Sequence, residues 1–175
     1  TVKPSMIFDE SILELIKNKS ITVAQNDTQL YIYFSKSKLH QIVPLKIIEK
    51  ITNSQNKSNL FCLYAKGKYP KHWQLDKNIE LVPDIILEAL PPATFVKENY
   101  NIKSSSYGTH GYDAMNNKDL MGIFIASGPD IVKGEEIEAF ENIHVVPFMS
   151  SILTIKQPKN IDGKYKVLAP YINNN

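Results

Sequence analysis

The feature that most constrains the fold is an apolar run, Met121 to Ser127, which directly follows a long polar stretch. An apolar run of this length between turn signals is typical of a strand that is buried on both faces. From residue 97 to residue 119, by contrast, neither a helical nor a strand periodicity is present. Loops of that length inside a compact domain are usually functional or disordered. The sequence therefore predicts a long loop that leads into a core strand.

His110 lies near the middle of this loop, between Gly108 and Gly111. Two glycines allow the backbone to bend sharply and to approach a ligand closely. A neutral imidazole is a common zinc ligand, and Asp113 could fix the tautomer of the ring by accepting its other N–H. The alternative is a solvated loop histidine, because no second histidine, cysteine or carboxylate lies nearby at metal-ligand spacing.

Composition excludes several classes of protein. The chain is 43% hydrophobic and 22% charged, as an ordinary globular domain is. Its formal net charge of +2 gives no argument for binding nucleic acid or an acidic membrane surface. Its apolar runs are too short for a membrane span. Cys62 is the single cysteine, so no intrachain disulfide can form, and its apolar neighbours favour a buried strand thiol.

Local signals predict helices and strands in alternation, which is typical of an α/β fold. Asp9 is a plausible N-cap for the first helix, and Asn26-Asp27 is a turn dipeptide between two strands. The predicted helices span 9–18, with Ile12, Leu13, Leu15 and Ile16 on one face, 44–52, and a last helix that begins at Asn142. The predicted strands span 21–23, 30–34, 60–65 and 84–90, with a polar loop over 53–59.

Residues 66–73, KGKYPKHW, mix cations with aromatic side chains. Such a mixture could bind nucleic acid by stacking and charge. The interpretation we favour is a surface connection whose aromatic side chains pack locally. His144, next to the last helix, is interpreted as a structural residue.

Several segments, in order along the chain, resemble one known family. Residues 108–113 read GTHGYD, which resembles the GTHGYD or GSHGYD motif of the nucleotide pyrophosphatase/phosphodiesterase family in the alkaline phosphatase superfamily. Residues 121–129, MGIFIASGP, and 140–145, FENIHV, resemble segments that follow this motif in the family. Residues 149–153 and 160–163 resemble the end of its catalytic domain. Several motifs in the right order are more specific than one hexapeptide.

The resemblance implies a fold and an extent. The family fold is an α/β/α sandwich with a largely parallel sheet, and this chain would supply its C-terminal part together with a small strand-pair insert near Leu30. Residues 1–175 are thus expected to form a single partial domain, in which 156–175 are a polar tail. The preceding N-terminal half of the same domain is the expected partner.

The resemblance also implies a chemistry. In this family the domain binds two zinc ions, and a threonine attacks phosphorus to form a covalent intermediate. His110 matches a ligand of one zinc. In the family, the threonine and the other ligands occupy positions that would precede Thr1. The chain alone is therefore expected to be inactive, with no catalytic residue of its own.

The implied function is zinc-dependent hydrolysis of phosphodiester or pyrophosphate bonds in a small-molecule substrate. No specific nucleic-acid binding and no transmembrane segment are expected. Members of the family are commonly secreted, periplasmic or anchored outside the cytoplasm, which is the only basis for a location. The alternative is a fragment that keeps the fold as a binding or scaffold module without catalysis.

Overall fold

In the computed structural model, residues 1–35, 42–75, 80–100 and 108–173 are described. The chain divides into two units, Thr1–Met121 and Gly122–Asn175, each with its own internal contacts. Among the described residues, no helix is both long enough and apolar enough to cross a bilayer.

The first unit is built on a four-stranded sheet. Its strands are β1 (Ile21–Gln25), β2 (Gln29–Phe34), β3 (Phe61–Ala65) and β4 (Ile85–Ala89), in the order β1-β2-β4-β3. The prediction of a mixed α/β fold is confirmed, as are the positions of these strands. All three strand pairs are antiparallel, however, so this sheet is not the largely parallel one that the resemblance implies. For β1 and β2 the reason is the short turn between them, because parallel strands need a long crossover connection.

The strand pair near Leu30 forms as predicted, as the hairpin β1-β2. The Asn26 side chain organises its turn, because its Oδ1 accepts the backbone N–H groups of Thr28 at 2.9 Å and of Gln29 at 2.6 Å. An asparagine that bonds the backbone two residues on is a common way to build such a turn. The hairpin is part of the larger sheet, since β2 also pairs with β4.

Three helices accompany the sheet: α1 (Pro4–Ile7), α2 (Glu10–Lys17) and α3 (Ile42–Ser58). Asp9 caps α2 as predicted, accepting the N–H of Ile12 at 3.0 Å. Its carboxylate also pairs with Lys50 of α3 at 2.7 Å, and mainly this bond lowers the pKa of Asp9 to about 2. Of the face predicted for α2, Leu13 is wrong, because it is exposed.

Helix α3 is longer than predicted, because the stretch from residue 53 to 58 continues the helix instead of forming a polar loop. Polar side chains of this stretch bond to neighbouring elements. Ser54 Oγ donates to the carbonyl of Ile7 at 3.0 Å, and Gln55 Oε1 accepts the N–H of Leu63 at 3.0 Å. Tertiary hydrogen bonds of this kind outweigh the weak helix propensity of the local sequence.

Strand β4 is buried along its whole length, and it separates two clusters. Ile85, Leu87 and Ala89 join the main core together with residues of the three helices. Ile86 alternates with them and packs on the opposite face, against Tyr69 and Val82. Cys62 lies on β3 and is half-buried, and burial, with a smaller effect of the Glu88 charge, raises the pKa of its thiol.

The predicted core strand over Met121–Ser127 is wrong for this chain by itself, because these residues form neither helix nor strand here. Ile123 and Ile125 are 91% and 85% exposed, whereas the ring of Phe124 contacts the rings of Phe140 and Phe148 at centroid distances of 5.0 and 5.8 Å. Within the described chain, the backbone of residues 122–127 makes no backbone hydrogen bond. A strand needs a partner, and none of the described segments offers one here.

The second unit also contains the last helix, α4 (Val145–Ile152), which a 3-10 turn, Asn142–His144, precedes. Among the apolar side chains of this helix and its C-cap, Phe148 is buried, whereas Met149 and Leu153 are exposed. His144 is buried and its Nδ1 accepts the N–H of Lys164 at 3.1 Å, in agreement with a structural role.

The stretch predicted as a polar tail contains two 3-10 turns, Tyr165–Val167 and Ala169–Tyr171. Between them Leu168 is 1% exposed, and beyond them Ile172 forms a β-bridge with Ile131. Up to residue 173, this part of the chain therefore packs within the second unit.

Candidate functional site

His110 is exposed in the first unit, on a segment with no regular secondary structure. Among the described residues, its side chain has no hydrogen-bond partner or charged partner. The ring nitrogens are therefore open to solvent and not packed in hydrocarbon. A histidine in this state can accept an external ligand without breaking a bond within the protein.

The three residues that follow His110 are each fixed to the sheet region. Gly111 has a φ of +96° and lies so close to the turn of the hairpin that a Cβ there would stand 2.7 Å from Thr28 Oγ1. Tyr112 is buried, and its hydroxyl donates to the carbonyl of Ala93 at 2.8 Å. The N–H of Asp113 donates to Glu88 Oε1 at 2.6 Å. These contacts place His110 near the carboxyl end of β4.

At Gly111 the backbone does lie close to another group, and that group is Thr28; the close approach to a ligand stays a prediction. We expect Gly111→Ala to lower the free energy of unfolding by at least about 2 kcal/mol, because a positive φ and a steric overlap both oppose a side chain. Gly108→Ala is the matched control, since no atom lies within 4 Å of its added Cβ. Denaturant unfolding of both variants tests this, and equal midpoints would contradict it.

The predicted pairing of Asp113 with His110 is wrong. The Asp113 carboxylate faces His72, whose Nε2 lies 2.9 and 2.8 Å from its two oxygens. The same carboxylate accepts the N–H of Met115 at 3.0 Å and the side-chain amide of Asn116 at 2.9 Å. Its acceptor capacity is thus directed at His72 and at its own turn.

His72 is the functional candidate that sequence reasoning missed. It belongs to the basic and aromatic segment, in a 3-10 turn, Lys71–Trp73. An aromatic side chain of this segment packs locally, in line with the interpretation of a surface connection. The ring of Trp73 lies edge-to-face on that of Tyr64, with the ring centroids 5.0 Å apart. Only the sequence distance of 41 residues to Asp113 hid the pair, since no local pattern links the two positions.

Glu88 supports the same cluster from β4, where it is 5% exposed. Its register partners on the two neighbouring strands are Gln29 and Cys62. Burial raises the pKa of Glu88, and the charge of Asp113 raises it further, whereas the N–H of Asp113 and the nearby His72 lower it. Burial therefore disfavours the charged form of Glu88. The hydrogen bond from the Asp113 N–H partly offsets this cost.

A complete metal site is not found in the described part of the chain, where no group of three or more His, Cys, Asp and Glu side chains could hold an ion. A zinc site needs three or four protein ligands. His110 suits a single imidazole ligand, since it is exposed and makes no competing bond. The other ligands of such a site would have to come from outside these residues.

The chain is similar in sequence to named phosphodiesterases, although no protein-family model matches it. It is 28% identical over 110 residues to mouse ectonucleotide pyrophosphatase/phosphodiesterase family member 7, a match that covers 63% of this chain and 24% of the relative. It is 30% identical over 114 residues to a venom phosphodiesterase of Macrovipera lebetinus, covering 65% of this chain and 13% of the relative. The chain thus spans a quarter or less of the length of these curated relatives.

Its fold matches solved structures over nearly the whole chain. Human ectonucleotide pyrophosphatase/phosphodiesterase 5 aligns with a TM-score of 0.70 and 18% identity, over 98% of this chain and 40% of that one. The murine protein, solved also as an inactive variant in complex with AMP, aligns with a TM-score of 0.71 and 17% identity over the same shares. The chain is therefore similar in sequence to members of the nucleotide pyrophosphatase/phosphodiesterase family, and it shares their fold.

Proposed function

We propose that this chain is the C-terminal part of a domain that hydrolyses phosphodiester or pyrophosphate bonds with zinc, and that His110 is its contribution to the metal site. The observation that carries this proposal is the presentation of His110: its imidazole is exposed and makes no bond to the described residues, and the next three residues pack or bond against the sheet region. When bound, zinc would neutralise developing phosphoryl charge and activate the attacking group.

The role of this chain's own residues is to hold one ligand in place. Gly111, Tyr112 and Asp113 fix the backbone next to His110, so that its imidazole is oriented before a metal arrives. Ligands held by a rigid surrounding bind with a smaller entropic loss. Two zinc ions in the complete site, and a threonine nucleophile outside this chain, belong to the same proposal.

The proposed partner is the N-terminal half of the same domain. Three observations favour it: His110 lacks companion ligands among the described residues, the chain matches 40% of the length of its structural relatives, and residues 122–127 present exposed apolar side chains beside an unpaired backbone. Unpaired backbone groups and apolar side chains together are what an added strand covers. In the complete domain, we propose, this segment joins a largely parallel sheet between layers of helices.

The proposed substrate class is a small molecule with a phosphodiester or pyrophosphate bond, for which nucleotides are the first candidates. Support comes from the names of the relatives and from the murine structure with AMP. The names of the ectonucleotide and venom relatives also favour a location outside the cytoplasm.

The product of the complete reading frame that encodes this chain tests the proposal. We expect it to hydrolyse bis(4-nitrophenyl) phosphate, to lose this activity on treatment with a chelator, and to regain it with zinc, whereas residues 1–175 alone should be inactive. Turnover by residues 1–175 alone, or full activity of the chelated protein, would contradict the proposal.

A fold fragment that serves as a scaffold without catalysis is the alternative, and the lone imidazole favours it as far as the described residues go. The sequence encoded ahead of Thr1 distinguishes the two. A threonine nucleophile with a set of aspartates and histidines supports the enzyme, and their lack supports the scaffold.

A further inference from the structure

Three segments that are distant in sequence meet at one cluster of ionisable side chains. His72 comes from the connection after β3, Glu88 from β4, and Asp113 from the loop that carries His110. His72 Nε2 reaches both oxygens of Asp113, and Glu88 Oε1 accepts the Asp113 N–H. Asp113 is thus held at its side chain by one segment and at its backbone by another.

The cluster is costly to bury, and so its bonds matter. The Asp113 side chain is only 5% exposed, and Glu88 is equally buried. A buried carboxylate that loses one of its donors is unfavourable, because burial penalises a charge whose hydrogen bonds are incomplete. The loop therefore favours the arrangement in which His72 donates to Asp113.

His72 is well placed to act as a fixed donor. Its ring is partly accessible, with 37% of the side chain exposed, but its neighbour Trp73 is anchored edge-to-face on Tyr64 of β3. The short helical turn that carries both residues therefore packs on the face of the sheet opposite the main core. The position of His72 is set by the sheet and not by the loop.

We propose that His72 is a positioning residue for the zinc ligand His110, acting through Asp113 and its turn. The inference rests on the proposed function. Asp113 lies three residues after His110, and its carboxylate also accepts the N–H of Met115 and the side-chain amide of Asn116. Releasing the carboxylate from His72 loosens this turn, and with it the backbone that orients His110.

Zinc affinity of the full-length protein tests the proposal. Loss of an outer hydrogen-bond partner of a metal site typically lowers metal affinity by about 10–100-fold. We expect His72→Leu to lower zinc affinity by about tenfold, as measured by chelator competition. His72→Gln should restore most of the affinity, because its amide keeps an N–H donor at a similar reach. The asparagine side chain is polar but too short to reach Asp113, so His72→Asn should behave like His72→Leu. It serves as the test variant in case His72→Leu does not fold.

A second readout needs neither metal nor activity. In the zinc-free protein, hydrogen exchange at the amides of Asp113 and Asn116 should speed up in His72→Leu and not in His72→Gln. Lys71→Leu is the matched control, since it alters the charge of the same exposed turn without touching Asp113. Equal zinc affinity of wild type and His72→Leu, or equal weakening in the leucine and glutamine variants, would overturn the proposal.

His110→Ala separates the two failures. If this variant binds zinc as tightly as wild type, the proposed function itself is wrong. If it weakens zinc while His72→Leu does not, His110 remains a ligand and only the positioning role of His72 is refuted.

Discussion

Replacing His110 with alanine in the full-length protein is expected to lower both zinc affinity and phosphodiesterase activity by more than about 100-fold. Outer partners of metal ligands alone are worth about 10–100-fold in affinity or activity, and a direct ligand should cost more. The described residues offer no ready substitute, because no group of three or more His, Cys, Asp and Glu side chains among them could hold an ion. Isothermal titration with zinc and turnover of bis(4-nitrophenyl) phosphate measure the two effects.

The same variant should leave the fold intact. His110 is exposed and has no partner among the described residues, so its truncation removes no internal contact. A surface substitution of this kind usually changes stability by no more than about 0.5 kcal/mol. Lys118→Ala, an exposed change shortly after the loop, serves as the control with normal zinc binding. Undiminished zinc affinity and turnover in His110→Ala would remove His110 from the metal site.

Elements specified by neighbouring residues could be predicted from the sequence. The helix that Asp9 caps and the hairpin that Asn26 turns each depend on a side chain bonded to backbone two or three residues away. Signals of this range are visible in a single sequence, since both partners fall within one turn. The positions of the strands followed for the same reason, from short apolar runs between turns.

Elements specified by distant partners could not be predicted in this way. The last turns of α3 depend on bonds from Ser54 to Ile7 and from Gln55 to Leu63, which only the folded chain brings together. The antiparallel pairing of β3 with β4, which residues 66–84 connect, is likewise not visible in the residues of either strand. Local propensity is a weak guide wherever tertiary contacts decide.

The candidate site divides along the same line. The resemblance to the GTHGYD motif singled out His110, whereas spacing alone favoured a solvated histidine. The assignment of Asp113 to that imidazole relied on sequence proximity, and the partner proved to be His72 from another segment. Once the chain folds, a carboxylate three residues from a histidine can reach many other donors. Here the buried carboxylate of Asp113 pairs with His72, whose neighbour Trp73 packs on β3.

The apolar run after the loop gives the second large prediction. Substituting both Ile123 and Ile125 with aspartate in the full-length protein is expected to lower the free energy of unfolding by about 3–6 kcal/mol, since complete burial of an isoleucine contributes about 1.5–3 kcal/mol. In this chain the two side chains are 91% and 85% exposed. We expect the preceding half of the domain to cover them in the full-length protein. Buried aspartates would add a desolvation cost, so little folded protein should be recovered, and Ile123→Ala gives a milder and measurable shift.

The control for this prediction is an apolar residue whose exposure needs no cover. Leu45 on α3 is 68% exposed, and single exposed apolar side chains are normal on protein surfaces. Leu45→Asp should shift the denaturant midpoint little, because the residue lies in the first turns of a helix, where a negative charge is favourable. If the Ile123 and Ile125 variants match this control, residues 122–127 are a solvent surface and the argument for a covering strand fails. If they unfold the protein as expected, the side chains of Ile123 and Ile125 are buried in the full-length protein, as a covering strand requires.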